Sequence, residues 1–368
     1  MTPSHLPLSF KVEKSLSPIS DKKRAEILKN PGFGKFFTDH MVTIQWNEQN
    51  GWHNATVSQH KHLAISPASA VLHYAQGIFE GLKAYRTKDK RVVLFRPEAN
   101  AQRFAQSAKR LVMPELPKNI FLDAIDQLVK IDEKWISSNP NASLYLRPFM
   151  FGNEGFLGVR PSQKYIFCII ASPVESFFTE MNESITVWIE TEYSRTGPGG
   201  TGSAKCGSNY AVSFLAQKNA LQSHCHQVLF LDMVERKWIE ELGCMNICFV
   251  LANNTLITPS LKDTILAGIT RNSVLKLAQQ MGLTVEERPY AFESLKNDIQ
   301  NKQLKEAFAC GTAAIITPIG RFKYKGRELV VGDGLTGEIT NKIRTELTNI
   351  QRGNIEDKNG WIRFVELS

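Results

Sequence analysis

The sequence predicts a two-domain chain of α+β / α/β class, and three observations carry that reading. Its 368 residues exceed what one small core organises, and at about 100–200 residues per domain two are expected. The apolar runs of the first half follow one another across short turns, which favours antiparallel pairing over βαβ crossovers. Finally, ESFFTEMNES (175–184) is poor in aliphatic residues and precedes a fresh strand-like run, ITVWIE (185–190). The expected layout is an N-terminal domain over 1–174, a linker over 175–184 and a C-terminal domain over 185–368.

The elements follow in order. The polar, Pro-rich segment 1–35 is expected to wrap the surface, with a short helix near Lys22–Lys29. MVTIQW (41–46) alternates like a strand and NEQNGW is its turn. IFEGLKAYR (78–86) and RVVLF (91–95) read as further strands around the turn TKDK. In 96–114 a helix has readable ends: Pro97 suits the first helical position, and Pro114 stops the run. Phe104, Ala108 and Leu111 share a face of it, with Arg103 beside them. Ile120–Trp135 repeats the helical pattern, and 144–152 and 165–174 are strand-like. Beyond 185 the sequence predicts a helix over 210–223, strands over 227–232 and 245–252, and a helix over 270–282 closed by Gly282. A strand entering a small-residue turn follows over 306–320, then a last helix over about 341–350.

Hydrophobic residues make up 42% and charged residues 22%, an ordinary globular balance that excludes disorder. The net charge of +8 is spread along the chain with no basic block, which leaves nucleic-acid binding without support and suits anionic small molecules. Six cysteines show no paired CxxC spacing, as reduced thiols of a cytoplasmic protein would. No apolar signal segment or membrane span is visible. No metal is expected.

The chemistry gathers around GPGGTGSAKCGSNY (197–210), where four glycines and a proline precede Lys205 and Tyr210. Ala204 stands directly before the lysine, so this is not a phosphate-binding P-loop. A lysine in such uncharged surroundings loses its proton more easily, and a neutral amine condenses with an aldehyde; an ordinary solvated lysine is the competing reading. Four other places suit a flat, anionic, aldehyde-bearing cofactor such as pyridoxal phosphate. In WIEELGCMN, Glu240 or Glu241 could hold a pyridinium nitrogen, or be a solvated hairpin end. Ile269 and Thr270 follow Gly268 at a helix start, where free N–H groups suit a phosphate; a plain cap is the other reading of Thr270. Thr312 in CGTAA offers a second anion cradle or a structural turn, and Arg103 offers a fixed charge or a surface arginine.

At this point the chain resembles the branched-chain amino acid aminotransferases, pyridoxal-phosphate enzymes of fold type IV. The matching strings are LHYAQGIFEGLKAYR (72–86), RPEANAQRFAQSAKRL (96–111), SLYLRPFMFGNEGFLGV (143–159), GGTGSAKCGSNYAVS (199–213), QVLFLD (227–232), ELGCMNICFV (241–250), ILAGITRNSV (265–274) and FACGTAA (308–314). The resemblance implies a smaller N-terminal domain, a larger pseudo-barrel C-terminal domain and the cofactor between them. It makes Lys205 the Schiff-base lysine, sets Tyr210 on the cofactor's phenolic oxygen, and puts Glu241 rather than Glu240 at the pyridine nitrogen. Arg103, Ile269, Thr270 and Thr312 would hold the phosphate. Phe33, Phe79, Tyr145, Phe177, Thr312 and Ala313 would shape the substrate pocket, with Arg147 and Gln227 nearby. Tyr74, Leu157 and Val159 would come from a partner subunit, so a homodimer is implied.

Three positions depart from the family's pattern. Cys248 stands at an aromatic position, Cys244 replaces a threonine, and Ala314 and Thr317 stand where some mammalian relatives carry a CxxC redox pair. The activity implied is reversible transfer of the amino group of leucine, isoleucine or valine to 2-oxoglutarate, giving glutamate. A D-amino acid transaminase, an aminodeoxychorismate lyase and a non-catalytic metabolite-binding module are the rivals. The long N-terminal half argues against the first two, and the intact Lys205 and Tyr210 pair against the third.

Overall fold

A computed structural model describes residues 8–175 and 184–367. The chain divides into two compact units: 1–177 with 204–207 and 350–368, and 178–203 with 208–349.

In the first unit the elements are β1 (Lys11–Val12), α1 (Asp21–Lys29), β2 (His40–Asn47), β3 (Gly51–Gln59), α2 (Ala70–Tyr74), β4 (Gly77–Phe79), β5 (Leu82–Arg86), β6 (Val92–Phe95), α3 (Pro97–Arg110), α4 (Lys118–Ile131), β7 (Ala142–Gly152) and β8 (Lys164–Glu175). They build one sheet in the order β1-β3-β2-β8-β7-β5-β6, closed by the C-terminal strand Ile362–Val365 beside β6, with β4 paired to β7. Every pairing is antiparallel except β1–β3, as the short turns of the first half require. The strand period of two sorts β7: Leu144 and Leu146 join the apolar core with Phe104 and Phe121 of the helices, while Tyr145 and Arg147 point the other way.

The expected strand over 78–86 is two strands, interrupted at Glu80–Gly81. Gly81 is needed there because a Cβ would come within 2.1 Å of the Tyr145 hydroxyl. On α3, Pro97 takes the first turn as expected, and Arg96 before it adopts φ 51°.

The second unit runs β9 (Ile185–Glu190), α5 (Ser208–Ala211), α6 (Phe214–Gln222), β10 (Gln227–Leu231), β11 (Ile239–Leu242), β12 (Asn246–Leu251), β13 (Thr255–Thr258), α7 (Ile269–Gln280), β14 (Thr284–Glu287), α8 (Phe292–Gln300), β15 (Leu304–Gly311), β16 (Ile315–Tyr324), β17 (Arg327–Val330) and α9 (Glu338–Gln351). Its mixed sheet is ordered β11-β10-β9-β16-β15-β12-β13-β14, with β17 on β16. The helix expected over 210–223 is broken between α5 and α6. There the Ser213 hydroxyl donates to the Tyr210 carbonyl at 2.7 Å, a local bond that competes with the helical one.

Cys248 is buried beside Cys310, whose thiol is pushed well up by the hydrogen bond with Cys248 and by burial. The first departure thus falls at a buried position, whereas Cys244 is exposed. No helix among the described residues is long and apolar enough to cross a membrane.

The division corrects the layout read from the sequence in two places, and the expected linker 175–184 lies mostly outside the described residues. Residues 204–207 belong with the first unit because their backbone bonds there: Phe79 N–H donates to Lys205 O at 3.0 Å, and Cys206 bridges Ile78. The C-terminal stretch belongs there because Ile362–Val365 pairs with β6. With both stretches added, the first unit is no longer the smaller one.

Candidate active site

Lys205 is held in the first unit by backbone bonds on two sides. Its N–H donates to Ser107 Oγ on α3 at 2.9 Å, and its carbonyl accepts from Phe79. The half-buried side chain carries its amine 4.7 Å from the centre of the Phe79 ring. Burial, then the charge of Arg103, lower this amine to about 8; Glu80 and Tyr145 pull the other way. The loop therefore does not carry an ordinary solvated lysine.

Arg103 is buried too, not a surface arginine. Its Nε and Nη2 donate to the two oxygens of Glu80 at 2.7 and 2.8 Å. Glu80 is 0% exposed and also accepts from Asn100 Nδ2 at 2.7 Å and from the Gly81 N–H at 3.2 Å. Burial alone would raise its carboxyl, but the charge and hydrogen bonds of Arg103 outweigh that and hold it below the usual range. Sequence reasoning did not single out Glu80. The available signal was a carboxylate inside an apolar run, which needs a partner.

Several of the aromatic residues named from the sequence lie near one another. Phe33 meets Tyr145 edge to face at 5.3 Å. Arg147 Nη2 donates to the Tyr145 hydroxyl at 2.9 Å, and its guanidinium lies over Phe79 at 4.8 Å. Arg147 Nε is buried and makes no hydrogen bond. The structure thus brings together Phe33, Phe79, Tyr145, Arg147 and Lys205. Tyr74, Leu157 and Val159 are on the exposed surface instead, Val159 at 88%, and the Tyr74 hydroxyl donates to the Leu157 carbonyl. Phe177 lies outside the described residues.

In the second unit Glu240 and Glu241 sit on β11, both buried, so neither is a solvated hairpin end. Successive strand residues face opposite ways, and the two carboxylates have different partners. Glu241 accepts from Asn246 Nδ2 at 3.1 Å and from the Leu266 N–H at 3.0 Å, and pairs with Arg195 Nη1 at 2.8 Å. Glu240 accepts a 2.6 Å bond from the Thr264 hydroxyl, and burial raises its carboxyl. Glu241 is the carboxylate paired with a buried cation. Arg195 and Asn246, which hold it, gave no sequence signal.

Asn246 also packs on the start of α7, where a Cβ on the cap residue Gly268 would fall 2.0 Å from its Oδ1. Ile269 and Thr270 form the first turn of that helix, the end at which backbone N–H groups point outward along the axis. Thr312 and Ala313 make the half-buried turn between β15 and β16. Tyr210 is half-buried on α5, and Gln227 half-buried at the start of β10. The Gly-rich loop lies against residues 263–264: Ser203 N–H donates to Asp263 O at 2.8 Å, and a Cβ on Gly202 would come within 2.4 Å of Thr264.

The residues present fit pyridoxal phosphate. The first unit supplies a desolvated amine over a ring and a buried guanidinium, and the second, taken by itself, a helix start without room for a cap side chain and a buried charge-paired carboxylate. Comparison with known proteins agrees. The profile of the family described as amino-transferase class IV matches residues 77–322. A probable branched-chain-amino-acid aminotransferase of Streptomyces coelicolor is 48% identical, over 97% of this chain and 99% of the relative. The branched-chain-amino-acid aminotransferase of Mycolicibacterium smegmatis is 47% identical, over 97% of this chain and 98% of the relative. The crystal structure of the Escherichia coli branched-chain amino acid aminotransferase superposes with a TM-score of 0.73 at 27% identity, covering 88% of this chain and 100% of that one. The T.th. branched-chain amino acid aminotransferase, complexed with N-(5'-phosphopyridoxyl)-L-glutamate, gives 0.71 at 25% identity, over 88% and 99% of the two chains.

Proposed function

The chain belongs to the class IV aminotransferases, among the branched-chain amino acid enzymes, and from that premise we propose that it moves the amino group of leucine, isoleucine or valine reversibly to 2-oxoglutarate. The observation that carries the reading is Lys205, a desolvated amine near 8 over the Phe79 ring, in a cluster that includes the half-buried Arg147. Pyridoxal phosphate, when bound, supplies the aldehyde that takes up the amino group and the ring that accepts the electron pair released at Cα.

Lys205 would hold the cofactor and then, as the neutral amine, take the Cα proton on Nζ and deliver it to the cofactor carbon that carried the aldehyde, on the far side of the amino nitrogen. Glu241 would keep the ring nitrogen protonated, with Arg195 and the Leu266 N–H keeping Glu241 itself ionised. Tyr210 would donate to the phenolic oxygen. Arg103, Ile269, Thr270 and Thr312 would bind the phosphate. Phe33, Phe79, Tyr145 and Ala313, with Phe177 and Gln227, would receive the donor's side chain, and Arg147 suits the second carboxylate of the acceptor. One site would then serve both half-reactions, a ping-pong sequence.

Amino-donor profiling with 2-oxoglutarate tests this reading. All three branched donors should be used within a factor set by about 1–3 kcal/mol per methylene. A preference for D-amino acids, or no branched-chain turnover, overturns it.

The exposure of Tyr74, Leu157 and Val159 supports a homodimer in which these residues complete a partner's pocket. Activity should then fall on dilution in step with dissociation measured by sedimentation, and a fully active monomer would refute the shared site.

A further inference from the structure

We propose that Glu80 is a positioning residue that fixes the guanidinium of Arg103 for the cofactor's phosphate, an inference resting on the phosphate role proposed above for Arg103. Four donors converge on its carboxylate: Nε and Nη2 of Arg103, Asn100 Nδ2 and the Gly81 N–H. A buried ion pair is a poor stabiliser, because desolvating both charges offsets most of their attraction. What the pair does provide is direction. Two parallel bonds along the Nε–Nη2 edge leave a guanidinium no freedom to rotate in its own plane or to swing about its long stem.

The neighbours fit that role. Asn100, Arg103 and Ser107 recur on one face of α3 at the i, i+3, i+7 spacing, and all three are buried. Asn100 steadies Glu80, Glu80 steadies Arg103, and Ser107 takes the backbone N–H of Lys205. One helical face thereby sets the separation between the guanidinium and the Lys205 backbone. Glu80 itself lies in the interruption between β4 and β5, next to Phe79 beneath the amine and to Gly81 beneath the Tyr145 hydroxyl. In a continuous strand, residue 80 would keep the strict alternation of β4 and β5 instead.

The test compares the affinity of the cofactor-free full chain for pyridoxal phosphate and for pyridoxal, which lacks the phosphate. Arg103→Met should weaken pyridoxal phosphate by about 10- to 100-fold, the worth of a charged hydrogen bond, and change pyridoxal little. Glu80→Gln should lose about 10-fold or more on pyridoxal phosphate with the same indifference to pyridoxal, although its own atoms bond only to protein. The double variant should lose no more than Arg103→Met alone, because both act through one group. If Glu80→Gln keeps wild-type preference for the phosphorylated form while Arg103→Met loses it, this inference falls and the phosphate role of Arg103 stands. If Arg103→Met keeps the preference, the phosphate role itself falls. Equal weakening of both ligands by Glu80→Gln marks a merely structural residue and also overturns the proposal. Should Glu80→Gln not fold, Glu80→Asp keeps the charge but retracts it by one methylene. It should lose part of the preference, and full retention there counts against the proposal.

Discussion

Lys205→Ala should lose nearly all turnover, by at least the roughly 10²–10⁴-fold typical of a positioned proton carrier, while its thermal unfolding stays near that of the parent chain. The structural ties of residue 205 are its backbone N–H to Ser107 and its carbonyl to Phe79, and alanine keeps both. What disappears is an amine that is poised to react. Because its pKa lies at about 8, Nζ is neutral above that pH and charged below it. The cofactor-free parent chain should therefore react with pyridoxal phosphate at a rate that climbs as pH rises through about 8, read from the growth of the yellow absorption. In Lys205→Ala that climb should vanish, leaving only the slow reaction of exposed lysines, about 10.4, because Lys83, which burial lowers to about 7, is 5% exposed. A variant that retains more than a few per cent of parent turnover, or an unchanged pH profile of cofactor uptake, would falsify the assignment.

Glu241→Gln is expected to cost about 10²-fold or more in turnover, the scale of losing a preorganised charge at a reacting centre, while Glu240→Gln stays close to the parent. The structure separates these neighbours by their partners. An amide at 241 has one acceptor oxygen for the Leu266 N–H, turns an NH2 that cannot accept toward Asn246 Nδ2, and leaves Arg195 buried and without its counter-charge. Stability should fall with it, by up to about 3–5 kcal/mol for a broken buried pair, so turnover has to be normalised to folded protein. At 240 burial raises the carboxyl above its usual range. An amide oxygen there can still accept from the Thr264 hydroxyl. Steady-state rates and unfolding curves of the two variants side by side decide the matter. Equal losses, or a larger one at 240, would mean that the wrong carboxylate has been assigned to the ring nitrogen.

The sequence by itself determined the local features. Pro97 at the start of α3, Gly282 after α7 and the short turns between β2 and β3 and between β5 and β6 are chain-neighbour effects, readable because proline, glycine and alternation act over a few residues. The strings around Lys205, Glu241 and Thr312 carried the family, since their order along the chain is itself information.

Only the tertiary structure decided which charges meet. Glu80 and Arg103 are 23 residues apart, and Arg195 and Glu241 are 46 apart. Nothing in either local pattern specifies such a pair, because electrostatic partners are chosen by sheet register and helix packing. The same holds for short strands: β11, β13, β14 and β17 have four residues each, too few for a period to show, and are held by their neighbours in the sheet. The C-terminal strand Ile362–Val365 is the plainest case, since its partner β6 lies more than 260 residues earlier in the chain. Burial was likewise settled by the fold. A lysine between glycines read two ways and Glu80 in its apolar run drew no reading at all, and it was the desolvation each meets in the fold that lowered the amine to about 8 and made a paired cation necessary for Glu80.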